Sequence, residues 1–246
     1  MKDILYSSRC LLAALLLFPY LGSSEPARTI PDPDGQPADM SKPVKVFVLM
    51  GQSNMLGFGR VSGKGEGSLE HAVKEKGRYS HLIDDGGKWT TRKDVRNVRV
   101  MSSGGPMQTF NNEWLTVKGS NIGPEVQFGH IMGELYEEPV LILKACIGNR
   151  ALGWDLLPPG SVSYEHKGKT IPGYQGNPDP NLRPKEGWYA GKQYDIDTDL
   201  VKEVLSDIGK YYPGATEYEV AGFVFWQGHK DQNEAWAVRY EQNLVQ

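Results

Sequence analysis

Apolar positions along the chain gather into three runs, and each run gives way to a short polar stretch. Val44-Lys45-Val46-Phe47-Val48-Leu49-Met50 stops at Gly51-Gln52-Ser53-Asn54. Val140-Leu141-Ile142-Leu143-Lys144-Ala145 leads into Gly148-Asn149-Arg150, and Val220-Ala221-Gly222-Phe223-Val224-Phe225-Trp226 leads into Gln227-Gly228-His229-Lys230-Asp231. Near-continuous β-branched and aliphatic runs mark strands covered on both faces, the pattern of a parallel sheet. Between the runs the period changes. Pro124 and Glu125 suit a helix N-terminus, and Val126, Phe128, Ile131, Met132 and Leu135 form an apolar stripe that Glu137-Glu138-Pro139 terminates. Asp195 to Tyr212 carries Ile196, Leu200, Val204, Leu205 and Ile208 at helical spacing and stops at Pro213-Gly214. Asp231 to Gln246 reads as a further helix, capped by Asp231, with Ala235, Trp236, Tyr240 and Leu244 along one face and no stop signal. Strand, helix and strand in alternation predict an α/β fold around a mostly parallel sheet.

The remaining stretches are less regular. Residues 57–95 are polar and Gly-rich, either an elaborated surface loop or a small subdomain. Val95 to Met101 alternates like a half-buried strand of the kind found at a sheet edge. Residues 153–194 are dense in Gly, Pro and aromatics, among them Trp154, Tyr164, Tyr174, Trp188, Tyr189 and Tyr194. Such rings either stack on sugars through their apolar faces or pin an irregular loop onto the core.

The start of the chain has the layout of an export signal. Lys2 and Arg9 accompany an apolar core from Cys10 to Tyr20, too short to span a bilayer, and Gly22-Ser23-Ser24 offers small residues for cleavage. Residues 1–24 therefore read as a signal peptide, 25–43 as a flexible Pro- and Asp-rich leader, and 44–246 as the folded domain. The protein is expected to be secreted or periplasmic and not to span a membrane once the signal is gone. Of the two cysteines only Cys146 then remains, so no internal disulfide is expected, and its strand-like neighbours predict a packed, inert thiol. At 246 residues, with 39% hydrophobic and 23% charged positions, the chain can hold one α/β domain with a sizeable core. The net charge of −3, with Lys and Arg scattered, gives no electrostatic footprint for nucleic acid. Nothing in the pattern speaks to oligomeric state.

If the sheet is parallel, the three polar stretches share one edge, where α/β folds place their sites. Acyl transfer by a serine needs a nucleophile, a base to take its proton, and donors aimed at the developing oxyanion. Ser53 supplies a hydroxyl just past a strand. The backbone N–H groups of Ser53 and Gly148 and the carboxamide of Gln227 could supply donors. On its own, the first stretch is equally well read as a strand ending in an ordinary turn with Ser53 as a helix cap. No His, Cys and carboxylate set has zinc or calcium-loop spacing, and no cofactor is implied.

Taken in order, Gly51-Gln52-Ser53-Asn54-Met55, Gly148-Asn149-Arg150-Ala151-Leu152-Gly153-Trp154 and Phe225-Trp226-Gln227-Gly228-His229-Lys230-Asp231 resemble the SGNH hydrolases. Within them, the resemblance is to the sialate O-acetylesterase branch of the carbohydrate esterases, over about residues 44–246. It implies a three-layer α/β/α, flavodoxin-like fold and removal of O-acetyl groups from carbohydrate by a serine nucleophile without a metal. Ser53 would be that nucleophile. Ser53, Gly148 and Gln227 would form the oxyanion hole, with Asn149 a further candidate on the same loop, and Gln52, Asn54, Arg150, His229 and Asp231 would line the pocket. The chain also departs from the pattern. The branch usually carries Glu after the Gln-Gly pair and the wider superfamily Asn before the Asp, where this chain has His229 and Lys230. The family's base is a histidine in an Asp-x-x-His motif. Three residues before His71, His81, His130, His166 and His229 stand Ser68, Arg78, Gln127, Ser163 and Trp226, none of them Asp. The expectation is a domain truncated before the segment that bears Asp and His, and inactive as such a fragment. His229 follows a strand end and is a candidate base by residue type, but reads better as a pocket-wall residue. His130 is expected to pack or lie on the surface, and His71, His81 and His166 to be solvated. The rival is a non-catalytic carbohydrate-binding or interaction module on the same fold.

Overall fold

The computed structural model describes residues 36–176 and 187–246. The expected signal peptide and the first part of the leader lie outside the described residues. In chain order the larger elements are β1 (Val44–Gly51), α1 (Ser53–Leu56), β2 (Gly59–Arg60), β3 (Thr91–Met101), β4 (Gln108–Thr116), β5 (Asn121–Ile122), α2 (Glu125–Leu135) and β6 (Val140–Ala145). There follow β7 (Tyr164–His166), β8 (Lys169–Ile171), α3 (Lys192–Ser206), α4 (Ile208–Tyr211), β9 (Tyr218–Trp226), α5 (Glu234–Ala237) and α6 (Tyr240–Val245).

The main sheet runs β4-β3-β6-β1-β9. β3, β6, β1 and β9 are parallel, and β4 closes one side as an antiparallel edge. Because side chains alternate across a strand, β1 feeds two cores. Val44, Val46, Val48 and Met50 meet Leu141 and Leu143 of β6 and, from the covering helices, Leu200, Val204 and Ile208. Phe47 and Leu49 meet Ile142 and the α2 residues Phe128 and Met132 on the other face, with the Phe47 and Phe128 rings edge to face at 5.3 Å. Each such side chain, fully buried, contributes about 1.5–3 kcal/mol. Helices on both faces of a mostly parallel sheet give the three-layer α/β/α arrangement.

Several elements differ from their sequence signatures. The Val95–Met101 run lies inside the sheet, between β4 and β6, and extends back to Thr91. It looked half-buried because polar side chains are buried along it. Arg92 pairs with Asp94 (Nη2–Oδ2 2.6 Å), and Arg96 Nε donates to Tyr211 O at 2.9 Å. On α2 the buried residues are Glu125, Val126, Gly129, His130 and Gly133, Phe128 and Met132 pack against the sheet beside them, and Ile131 and Leu135 are exposed. The glycines let the helix lie close: a methyl at Gly129 would come within 2.5 Å of Leu115 Cδ2, and one at Gly133 within 2.6 Å of Arg92 Nε. In place of the expected final helix stand two short ones, α5 and α6. Asn233 caps α5 by accepting from Ala235 N at 2.8 Å, because Asp231 turns inward instead. β9, expected to be buried, is a free edge among the described residues, with Val220 54%, Phe223 61% and Trp226 48% exposed.

The 57–95 region forms a satellite of the main core. β2 pairs with β5, and Val61, Val73 and Leu82 cluster with Val117 and Val126. His81 is buried here rather than solvated, with Nε2 3.0 Å from Gln127 Oε1 and its ring 5.1 Å from that of His130. His130 is a packing residue, and desolvation, helped by the Arg92 charge, pushes its pKa down to about 3. Cys146 is free and buried, and desolvation pushes its thiol up to about 12, as an inert thiol requires.

Candidate active site

Ser53 stands where β1 ends. Gly51 has φ +145° and pairs with Trp226, whose carbonyl oxygen would lie 2.2 Å from a Cβ at position 51, so no other residue fits. Gln52 N then donates to Trp226 O at 3.2 Å and the chain turns into α1. Leu56 N to Gln52 O (2.9 Å) and Gly57 N to Ser53 O (3.1 Å) close that turn, and Met55 is wholly buried beneath it. Lys144, itself buried in β6, reaches up to donate to Leu56 O at 3.1 Å and pairs with Glu125 Oε2 at 2.5 Å. An ammonium buried inside an apolar strand must find partners. Lys144 finds them by joining the serine turn to the start of α2. Ser53 is half-buried, and neither its hydroxyl nor its backbone N–H has a partner among the described residues.

The second loop leaves β6. Leu49 pairs with Lys144, so continuing both strands brings Gly148 level with Ser53. A methyl on Gly148 would sit 4.0 Å from Ser53 Cβ and 3.6 Å from Leu56 Cδ1. The Gly148 N–H also has no acceptor among the described residues. Asn149 follows at φ +60°, a left-handed conformation that asparagine tolerates. Arg150 turns away from Ser53. Its Nε donates to Gln193 Oε1 at 2.9 Å, its guanidinium lies 5.2 Å from the Trp188 ring centre, and Asp155 Oδ1 is 3.9 Å away.

The third loop leaves β9 and is tied to the second. Gln227 Nε2 donates to Arg150 O at 2.9 Å and to Asp231 Oδ2 at 2.5 Å, which leaves Gln227 Oε1 buried without a partner. Asp231, also buried, accepts from Leu152 N at 2.9 Å and Gly153 N at 2.7 Å. Gln227 and Asp231 thus brace the loop that carries Gly148. Tyr240 OH donates to Gln227 O at 2.9 Å. Gln52 is buried with its Nε2 unpaired, while Asn54 and His229 are exposed at the rim.

Ser53 and Gly148 therefore meet, and Gln227 and Asp231 hold the second of their loops. No histidine hydrogen-bonds Ser53 among the described residues. His166 lies on β7 with Nε2 4.0 Å from Glu234 Oε1, and His130 lies on α2 with the His81 ring beside it. Among the described residues no group of three or more His, Cys, Asp or Glu converges as metal ligands would, and no helix is long and apolar enough to cross a membrane. The aromatics of the 153–194 region that pack together are pinning residues. Trp154, Trp188 and Tyr174 share a cluster with Trp236, and the hydroxyls of Tyr174 and Tyr189 donate to Asp195 at 2.5 and 2.6 Å.

The supports of the site were not foreseen: Lys144, Glu125, Gln193, Asp155 and Asp197. The one signal for them was a lysine inside a buried strand. Asp197 is wholly buried, accepts from Gln193 Nε2 at 2.8 Å, and has its pKa pushed up to about 8 by desolvation.

A comparison with curated proteins finds no match. Among solved structures, the chain is similar to the X-ray structure, at 1.6 Å, of a protein from Arabidopsis thaliana, with a TM-score of 0.42 and 15% identity. The similarity covers 83% of this chain and 66% of that one, so this chain spans just under two thirds of that protein's length. The sequence model of the carbohydrate esterase family described as sialic acid-specific acetylesterase matches residues 43–171, more than half of the chain and inclusive of both the Ser53 and Gly148 loops, and the chain belongs to that family.

Proposed function

We propose that the protein is a serine esterase that removes O-acetyl groups from carbohydrate. One observation carries this reading. The unpaired Ser53 hydroxyl and the unpaired N–H groups of Ser53 and Gly148 surround a space that the missing side chain of Gly148 leaves open. An acyl carbon placed there is attacked by Ser53 Oγ as a base removes its proton. The carbonyl oxygen takes the negative charge and receives the two N–H donors. Collapse of this intermediate expels the sugar oxygen, which takes up the proton, and leaves an acyl-serine that water hydrolyses by the same steps. Asn149 is the reserve donor on the same loop, and Gln227 acts through the loop it braces.

The base in this reading is a histidine of an Asp-x-x-His segment, which none of the five histidines of this sequence provides. The free β9 edge, with its apolar side chains exposed, offers that segment a strand to pair with. Export to a secreted or periplasmic location belongs to the same proposal and rests on the charge and apolar pattern of residues 1–24.

A second reading, a carbohydrate-binding module without chemistry, is favoured by one feature: both amide hydrogens of Gln227 are committed, which leaves two donors at the site instead of three. The two separate in one experiment. The reading frame is followed past Gln246, and the protein carrying any Asp-x-x-His segment is given an aryl acetate and a serine-directed phosphonate. The esterase predicts turnover and labelling at Ser53, both lost in Ser53→Ala with folding intact. A protein that contains the motif yet neither turns over nor is labelled is the binder.

A further inference from the structure

The satellite built from residues 57–95 encloses a cavity of about 420 Å³ that shares no lining residue with the Ser53, Gly148 and Gln227 loops. Three cationic side chains line it, Arg60, Lys76 and Arg78, against one carboxylate, Glu66. All four residues are exposed, and none of the cations lies within ion-pair distance of a carboxylate among the described residues. Arg60 is placed by its strand: β2 pairs it with Asn121, and a bridge joins it to Ser68. Lys76 and Arg78 are placed by a five-residue π-helix, His71–Glu75. Its wide turn closes with Lys76 N donating to His71 O at 3.0 Å. Gly77, at φ +62°, then swings the chain round so that Arg78 N donates to Ala72 O at 2.9 Å. A π-turn is rare and is frequently found at functional sites. Here it fixes the main chain under two cations that line one concavity with a third. Like charges gathered in a concavity repel one another, and the field they sum favours an anion between them.

The loop Gly63-Lys64-Gly65-Glu66-Gly67 supplies main chain to the same cavity, and it is held from within. Buried Ser68 donates its Oγ to Gly65 O at 3.1 Å and accepts from His71 N at 3.2 Å, while Gly63 N donates to Glu70 Oε2 at 3.0 Å. Arg60 Nη2 donates to Glu66 O at 3.4 Å, which lays the guanidinium along the loop. Gly67 is left open. It lines the cavity, its N–H has no acceptor among the described residues, and a Cβ there would meet no atom within 4 Å. A ligand can therefore come up to its main chain, as anions do at loops of free amides. His71 forms part of the wall, but its two ring nitrogens are closed off from solvent and take no part. The donors come from three sides: the strand, the loop and the end of the π-helix. A carboxylate presents two oxygens in one plane, whereas a phosphate or sulfate group presents its oxygens around a tetrahedron and meets such donors together. We infer that this cavity binds a tetrahedral oxyanion, a phosphate or sulfate group, held by Arg60, Lys76, Arg78 and the Gly67 N–H. The site goes beyond the esterase reading and does not rest on it.

Titration of the 246-residue chain with inorganic phosphate and with sulfate tests the site, with ionic strength held constant by sodium acetate so that screening does not change and a planar anion is always in competition. Binding is followed by calorimetry and by the amide resonance of Gly67. The expected result is that at least one of the two ions saturates with a Kd of about 1 mM or tighter and moves that resonance as it does so. Arg60→Gln and Arg78→Gln, each checked for folding by circular dichroism, should weaken binding about tenfold or more, the loss expected for one charge-assisted hydrogen bond. Glucose-6-phosphate and glucose-6-sulfate separate the sources. Tighter binding of a sugar ester than of its free ion assigns a group carried on a glycan, and equal or weaker binding assigns the free ion. The site is overturned if neither ion binds at that strength, if the Gly67 resonance stays still while one binds, or if both folded variants bind as the parent does. The Gly67 resonance is read in the unsubstituted chain, so a misfolded variant leaves the test standing.

Discussion

A serine hydroxyl reacts with an ester only where main chain can come close to it, and around Ser53 two glycines permit this for opposite reasons. Gly51 is required by the fold, since its φ of +145° and the Trp226 carbonyl 2.2 Å from the absent Cβ exclude any side chain. Gly51→Ala should therefore destabilise by about 2–4 kcal/mol through strain and a forced shift of β9, read as a lower urea midpoint. Gly148 is required by the proposed chemistry alone. A methyl there meets Leu56 and Ser53 at ordinary contact distances of 3.6 and 4.0 Å but occupies the acyl space. Gly148→Ala should keep its urea midpoint and lose most aryl acetate turnover; unimpaired turnover would detach this glycine from the mechanism. Two buried titratable groups away from Ser53 give stability a pH dependence of known sign. Asp197 titrates at about 8 when folded against an ordinary 3.8 when unfolded, so between those values the folded protein holds a proton the unfolded chain has released, and stability falls as pH rises. His130 does the converse between 6.5 and about 3, where the unfolded chain binds a proton that the folded one refuses, and stability falls as pH drops. Urea midpoints measured across about pH 4 to 9 should show the alkaline-side slope flattened in Asp197→Asn and the acid-side slope flattened in His130→Leu.

Elements whose burial is uniform could be read from the sequence, and those whose two faces differ could not. β1 and β6 are apolar throughout because helices cover both faces, and their runs gave their positions directly. β4, Gln108–Thr116, escaped notice because Asn111, Asn112 and Glu113 interrupt any apolar period along an exposed edge. The position of α2 is legible, and Val126, Phe128 and Met132 of its apolar stripe pack inward, but close approach to β3 uses Gly129 and Gly133 and leaves Ile131 and Leu135 outside. β9 is the instructive case. It is as apolar as β1, yet Val220, Phe223 and Trp226 lie open along a nine-residue edge that is unpaired among the described residues. Such an edge templates pairing with any available strand. The 246-residue chain should consequently self-associate with rising concentration in sedimentation experiments. Phe223→Lys should suppress this, because a charge on an edge strand opposes strand addition. An entirely monomeric chain at high concentration would mean that the edge is covered by other means.

At the scale of the whole molecule, the proposed site is a consequence of strand order. Ser53, Gly148 and Gln227 are far apart in sequence and come together because β6, β1 and β9 are adjacent and parallel, so their carboxyl ends share one edge. That much was legible in the motifs. The fastening between the loops was not, because it joins side chain to main chain across distant segments: one buried carboxylate, Asp231, accepts from Leu152 N, Gly153 N and Gln227 Nε2. As sequence, Asp231 had looked like a helix cap. Asp231→Ala leaves two buried backbone N–H groups and one amide without acceptors, at about 1–3 kcal/mol each for groups that stay buried. The loop carrying Gly148 should relieve that cost by moving, and the Gly148 N–H would move with it. In the form of the protein that hydrolyses aryl acetates, Asp231→Ala is therefore expected to lose both stability and the rate of phosphonate labelling at Ser53. Asp231→Asn should do nearly as badly, since its amide nitrogen must face one of the three donors. Ser53→Ala, in contrast, should lose labelling while keeping its urea midpoint. If Asp231→Ala is destabilised but labels at the original rate, the two loops are fastened for stability alone, and the Gly148 amide owes its position to β6.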